Sequence, residues 1–111
     1  MTYTIELSEQ AQADLRGIFE YIALDLQSKD NALSQLRRLR KEIYSLDQFP
    51  ERYRLWNAEP WHSRNLRIMP VDSYLVLYLT DVTNRAVQIM RVLYGGQDIA
   101  AQIDGLAQQA E

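Results

Sequence analysis

Cysteine is absent from the 111-residue chain, histidine occurs once, and there are only four glycines and three prolines. Each scarcity removes a class of explanation. Without cysteine there is no disulfide framework, no thiolate metal ligand and no thiol nucleophile. A lone histidine would leave a zinc site to be assembled from scattered carboxylates, so neither a metal nor another cofactor is expected. The pair Gly95-Gly96 lacks the lysine and the wider glycine spacing of a phosphate-binding loop and reads as a turn. No stretch approaches the ~20 apolar residues needed to cross a bilayer. The opening Met1-Thr2-Tyr3-Thr4-Ile5 shows no basic region leading into an apolar run. The expectation is a cytoplasmic protein with no membrane association.

Positive charge is also short. Twelve Lys and Arg stand against fifteen Asp and Glu, for a net charge of −3. A polyanion-binding domain is normally basic, because neutralising phosphates drives most of its affinity. The cations that exist are concentrated in residues 37–67: Arg37, Arg38, Arg40, Lys41, Arg52, Arg54, Arg64 and Arg67. Residues 1–36 are acidic instead. Any nucleic-acid contact would have to be local, and Arg37, Arg38, Arg40 and Lys41 read as a solvated helix face.

What the chain does have is apolar material, 47% of residues, at a length suited to one domain over residues 1–111. Thr2 to Leu7 alternates like a half-buried strand, with Tyr3, Ile5 and Leu7 on one face. Ser8 is placed to cap a helix whose stripe is Leu15, Ile18, Phe19, Ile22 and Leu26. After a break at 27–31, Asp30 or Asn31 is placed to cap a second helix with Ala32, Leu33, Leu36, Leu39, Ile43 and Leu46 along one side. Two amphipathic helices joined by a short polar turn predict an antiparallel hairpin, closed at Phe49-Pro50 because proline disfavours helix in the residue before it. Residues 51–63 have no period and read as a loop.

Three strands follow, over 64–69, 74–80 and 85–94, with links short enough to require an antiparallel meander. The middle one, Tyr-Leu-Val-Leu-Tyr-Leu-Thr, is apolar on both faces, as a strand covered on both sides would be. Asp98 then caps a short helix carrying Ile99, Ile103 and Leu106. The fold class is α+β: an N-terminal strand, a helical hairpin packed on a small antiparallel sheet, and a short C-terminal helix. Because each hairpin helix has a single apolar stripe, the hairpin covers one sheet face. The other face is expected to be free, and to be the place where function sits.

The chemistry-bearing side chains are few. The serines lack an elbow-like glycine setting, which argues against a nucleophilic triad. His62, beside Trp61 in the loop, is either a surface histidine or an acid–base group. Simple alternation places Arg91 on one strand face with Val87, Ile89 and Leu93. A cation in an apolar row requires a salt-bridge partner or a ligand, and the residues alone leave both open. Tyr74 and Tyr78 share a face, as core tyrosines or as stacking platforms.

The motif Ala13-Asp14-Leu15-x-x-Ile18-x-x-Tyr21-Ile22-Ala23 resembles the first helix of RelE/ParE toxins, the plasmid-stabilisation family of type II toxin–antitoxin systems. The resemblance continues through Leu46-x-x-Phe49-Pro50-Glu51-Arg52, Arg67-x-x-Pro70-Val71-x-x-Tyr74-x-Val76-x-Tyr78 and Val87-x-Ile89-x-Arg91-Val92-x-Tyr94-Gly95, over roughly residues 3–103. It implies a growth-inhibiting toxin held inactive by a cognate antitoxin, alone or within a homo- or hetero-oligomer. RelE-type members cut messenger RNA on the ribosome with a set of basic side chains, whereas ParE-type members inhibit DNA gyrase. Leu75 stands where the RelE pattern has an arginine. Gly95-Gly96-Gln97-Asp98 stands where that pattern has a basic cluster, and the ParE pattern usually has an arginine at Gln97. Losing one pre-placed transition-state charge typically costs ~10²–10³ in rate. The resemblance therefore implies a ParE-like toxin that binds its target, such as DNA gyrase. The rival readings are an endoribonuclease acting on ribosome-bound mRNA through Arg64, Arg67, Arg91, Tyr94 and His62, and a degenerate, non-toxic binding module.

Overall fold

A computed structural model describes residues 2–109. Strand β1 (Thr4–Leu7) leads through Ser8 into helix α1 (Glu9–Glu20). The Ser8 hydroxyl accepts from the Ala11 amide at 3.0 Å, so the expected cap is in place, and it donates to the Met90 carbonyl at 2.8 Å. One side chain thus closes a strand, opens a helix and ties both to the far end of the chain. Helix α1 continues as a π-helical turn, Tyr21–Asp25, before helix α2 (Lys29–Tyr44). The N-cap of α2 is Ser28, not Asp30 or Asn31, and it makes no side-chain capping bond. Short 3-10 turns at Ser45–Asp47 and Pro50–Arg52 end the hairpin.

The meander is β2 (Leu66–Val71), β3 (Tyr74–Asp81) and β4 (Ala86–Tyr94), paired antiparallel as expected. β1 joins the other side of β4 in parallel, Thr4 opposite Ala86 and Leu7 opposite Ile89, so the four-stranded sheet is mixed, in the order β1-β4-β3-β2. The helical hairpin supplies the long crossover that a parallel pair needs. β2 begins two residues later than the periodicity suggests and runs through Pro70. Pro70 is tolerated because β2 is an edge: Ile68, on the same outward register, sends its amide to the Arg54 carbonyl at 3.1 Å rather than into the sheet. The "loop" before β2 is in fact laid along this edge. The Trp56 amide meets the Leu66 carbonyl at 2.8 Å, and Leu55 bridges to Arg67.

The sheet divides two cores. On the hairpin side Leu15, Leu39, Ile43 and Leu46 pack against Met69, Val76, Tyr78, Val87, Ile89 and Val92. On the opposite side Trp61, Leu66, Ile68, Leu77 and Leu93 pack beneath Ile103 and Leu106 of helix α3 (Ile99–Gln109), whose first turn is capped by Asp98 through the Ala101 amide at 3.2 Å. The expected free face is therefore covered. Burying those apolar side chains contributes on the order of 1.5–3 kcal/mol each, which an open concavity would forgo. The doubly apolar β3 has covers on both sides.

Candidate functional site

Arg91 does not lie in a row with Val87, Ile89 and Leu93. The β3–β4 register slips between Leu77 and Tyr78, pairing Leu77 with Arg91 but Tyr78 with Ile89, so Met90 is an extra residue. The bulge reverses the alternation: Val87, Ile89 and Val92 face the hairpin, whereas Leu93 faces α3. It also brings Arg91 to Asp14 of α1. The Asp14 carboxylate accepts from Arg91 Nε at 2.7 Å and Nη2 at 3.0 Å, and from the Val92 amide at 2.9 Å. The bidentate hydrogen bonds from Arg91 to Asp14 hold the guanidinium still more firmly protonated than usual. Both side chains are largely buried, so this cation is committed to joining helix and sheet.

Arg67 is committed in a different way. Its Nη1 donates to the backbone carbonyls of Glu51 at 2.9 Å and Tyr53 at 2.6 Å, and its Nη2 lies 3.4 Å from the Glu51 carboxylate. These bonds fasten the 51–56 segment to the edge of β2. Beside it the fully buried Tyr78 donates its hydroxyl to the Pro50 carbonyl at 2.5 Å, and burial pushes that phenol up to about 12. Arg52 braces the same turn from outside. Its guanidinium reaches the Gln48 carbonyl at 2.7 Å, the Phe49 carbonyl at 3.2 Å and the Ser45 hydroxyl at 2.8 Å. Phe49 itself is held at φ 49°, ψ 54° and is 80% exposed.

The other predicted residues lie elsewhere. Arg64 is exposed, its guanidinium 5.1 Å from the Trp61 ring centroid, and His62 Nδ1 lies 2.8 Å from the Trp56 carbonyl. Tyr94 ends β4, half-exposed and edge-on to Tyr74 at 6.2 Å. A Cβ on Gly96 would meet the Tyr94 ring, so a larger residue here would push that half-exposed ring aside. Leu66 and Val71 mark opposite ends of β2, and Val71 aligns through Tyr74 with Tyr94. Arg64 and His62 thus belong to one end of the sheet and Tyr94 to the other, roughly 17 Å apart along the strands. Arg67 sits at an edge, and Arg91 two strands away. The five are not gathered around one point. Among the described residues no group of three or more acids and histidines is placed to hold a metal ion.

A groove missed by the sequence reading occupies ≈ 1090 Å³ between the hairpin and β1. Its walls are apolar: Ile5 and Leu7 from the strand, Leu15 and Phe19 from α1, Leu36 and Ile43 from α2. Arg16, Arg37 and Arg40 stand on its rim against Glu20. β1 is an open sheet edge here: the amides of Thr4 and Ser8 bond to Arg85 and Ile89 carbonyls of β4, which turns the backbone of Ile5 and Leu7 outward. The available signal was Arg37 and Arg40 flanking Leu36, a basic border on an apolar stripe.

A family model described as ParE toxin of type II toxin-antitoxin system, parDE, matches residues 5–99. No curated protein matches the chain significantly. Among solved structures, the chain is similar to one from the chromosomal ParDE system of Pseudomonas aeruginosa, at 18% identity and TM-score 0.66, covering 84% of this chain and 96% of that one. It is also similar to a chain of the RelBE2 toxin–antitoxin complex of Mycobacterium tuberculosis, at 20% identity and TM-score 0.63, covering 85% and 99%. A third likeness, at 18% identity and TM-score 0.61, is to the archaeal RelE–RelB complex of Pyrococcus horikoshii, covering 87% and 99%. At such identities the structural likeness speaks for the fold.

Proposed function

The chain belongs to the ParE toxin family of type II toxin–antitoxin systems, and on that premise we propose that it arrests growth by binding a protein target such as DNA gyrase, not by cutting RNA. The observation that carries this reading is the commitment of its two half-buried arginines. A ribonuclease of this kind needs free cations converging on a phosphate that gains charge in the transition state. Arg91 is engaged by Asp14 through two hydrogen bonds, with the Val92 amide donating to the same carboxylate, and Arg67 by two backbone carbonyls. Freeing either would give up the contacts that fix its position: α1 against β4 for Arg91, the 51–56 segment against β2 for Arg67.

Neutralisation falls to the groove. An acidic, amphipathic antitoxin segment matches its apolar walls and its arginine rim, with burial supplying affinity and the rim steering approach. The outward backbone of Ile5 and the amide of Leu7 offer main-chain hydrogen bonds along the same wall, the Leu7 carbonyl being taken by the Gln12 side chain at 3.2 Å. The solved relatives described as toxin–antitoxin complexes support a cognate antitoxin as the partner.

The test has two arms. Expression of the chain alone should arrest growth, relieved when its cognate antitoxin is co-expressed, and the purified protein should inhibit gyrase supercoiling. Cleavage of message in a translating extract, lost on Arg64→Ala or Tyr94→Phe, would overturn the binding mechanism. Both residues are exposed, so their loss leaves the core intact.

A further inference from the structure

The tip of the helical hairpin is built against its own sequence pattern. Ile22 and Leu26 are four residues apart and in a continuous α-helix would lie one above the other on the buried stripe. The π-helical turn Tyr21–Asp25 prevents this: the Leu26 amide reaches back five residues to the Tyr21 carbonyl at 3.1 Å, and Gln27 follows at φ 53°. Ile22 stays buried, while Tyr21, Leu24 and Leu26 emerge 53%, 69% and 57% exposed. Three large apolar side chains thus reach solvent within six residues, on a kind of turn that is frequent at functional sites.

The patch also carries a charge. At the tip Asp25 and Asp30 are exposed beside Lys29. The groove rim, with Arg16, Arg37 and Arg40 against Glu20, carries the opposite sign. One acidic segment cannot suit both surfaces, since like charges across an interface are unfavourable. Acids at the tip equally disfavour a phosphate backbone.

We propose that the hairpin tip is a second docking surface that receives the toxin's protein target through an apolar patch bordered by basic side chains. This rests on the target-binding reading above and adds where the target, as distinct from the antitoxin, is held. The experiment compares the wild-type chain with Leu24→Ser/Leu26→Ser and, separately, Asp25→Lys. Exposed positions of this kind are substituted with little effect on stability. Growth arrest should fall at least about tenfold in both variants. Co-purification with the antitoxin and the thermal midpoint should remain those of the wild type. Undiminished arrest in the variants, or loss of arrest together with loss of antitoxin binding, would overturn the assignment. So would binding of a fluorescent single-stranded oligonucleotide by the wild type that the variants lose. A wild-type chain that fails to arrest growth removes the target-binding reading and this assignment with it. A wild type that arrests alongside equally active variants removes the tip alone.

Discussion

Asp14 and Arg91, 77 residues apart, form a two-toothed ion pair that pins the first helix to the last strand. Removing the carboxylate in Asp14→Ala strands a mostly buried guanidinium and an orphaned Val92 amide. We expect a loss of about 2–4 kcal/mol, read by urea unfolding. The double variant Asp14→Leu/Arg91→Met should recover much of that loss. Strictly additive penalties would mean that the two residues do not act as a pair.

Arg67 should behave as a clamp. Arg67→Met should raise amide exchange at Trp56 and Ile68, whose amides pair the 51–56 segment with β2, while β3 and β4 stay protected. Uniform loosening of the whole chain would contradict this local role.

The buried phenol of Tyr78 sets an alkaline limit. Its ordinary value is near 10 and in the folded chain it is pushed up to about 12 by burial. The folded state therefore holds its proton where the unfolded chain has released it. The contribution to stability is complete below pH 10 and is lost as the pH rises through 12. It amounts to about 2 kcal/mol. Chemical denaturation across pH 9–12 should show a shallower decline in Tyr78→Phe, although that variant starts lower because the Pro50 carbonyl loses its donor.

Phe49 carries a backbone geometry that bulky residues avoid. Because its ring is 80% exposed, replacing it with asparagine gives up little burial and accepts the left-handed angles more readily. Phe49→Asn should stabilise by about 0.5–1 kcal/mol, a rise of a few degrees in the thermal midpoint. A fall would show that the exposed ring makes a stabilising contact.

Reversing the groove rim with Arg37→Glu/Arg40→Glu should weaken antitoxin binding about tenfold or more, mainly in the association rate and most at low salt. Titration by calorimetry at two ionic strengths gives the answer. Equal affinity at both would place the antitoxin elsewhere.

The sequence reading recovered what depends on local periodicity. Ser8 as a cap, the hairpin, the meander and Asp98 before α3 all follow from neighbours within a few residues. It lost what depends on a single inserted residue. The bulge at Met90 and the π turn after Glu20 each shift a phase that alternation and the 3.6 repeat assume constant, and neither leaves a mark in composition. Arg91 was consequently assigned to the wrong row, and Leu26 to the buried stripe. The second core was within reach. β3 is apolar on both faces, Trp61 is large, and Ile99, Ile103 and Leu106 share one side of a short helix, so a cover for the second face was already written in the chain.

The parallel seat of β1 has a consequence for how the protein comes into being. Thr4 pairs with Ala86, and the Ser8 hydroxyl reaches a carbonyl 82 residues downstream. During synthesis the opening strand must wait until β4 has been made, roughly 4 to 16 s later at ordinary elongation rates. Until then the hairpin has no third wall, and no groove exists. On the proposed reading, an antitoxin segment that contacts all three walls would find them only once β4 is in place.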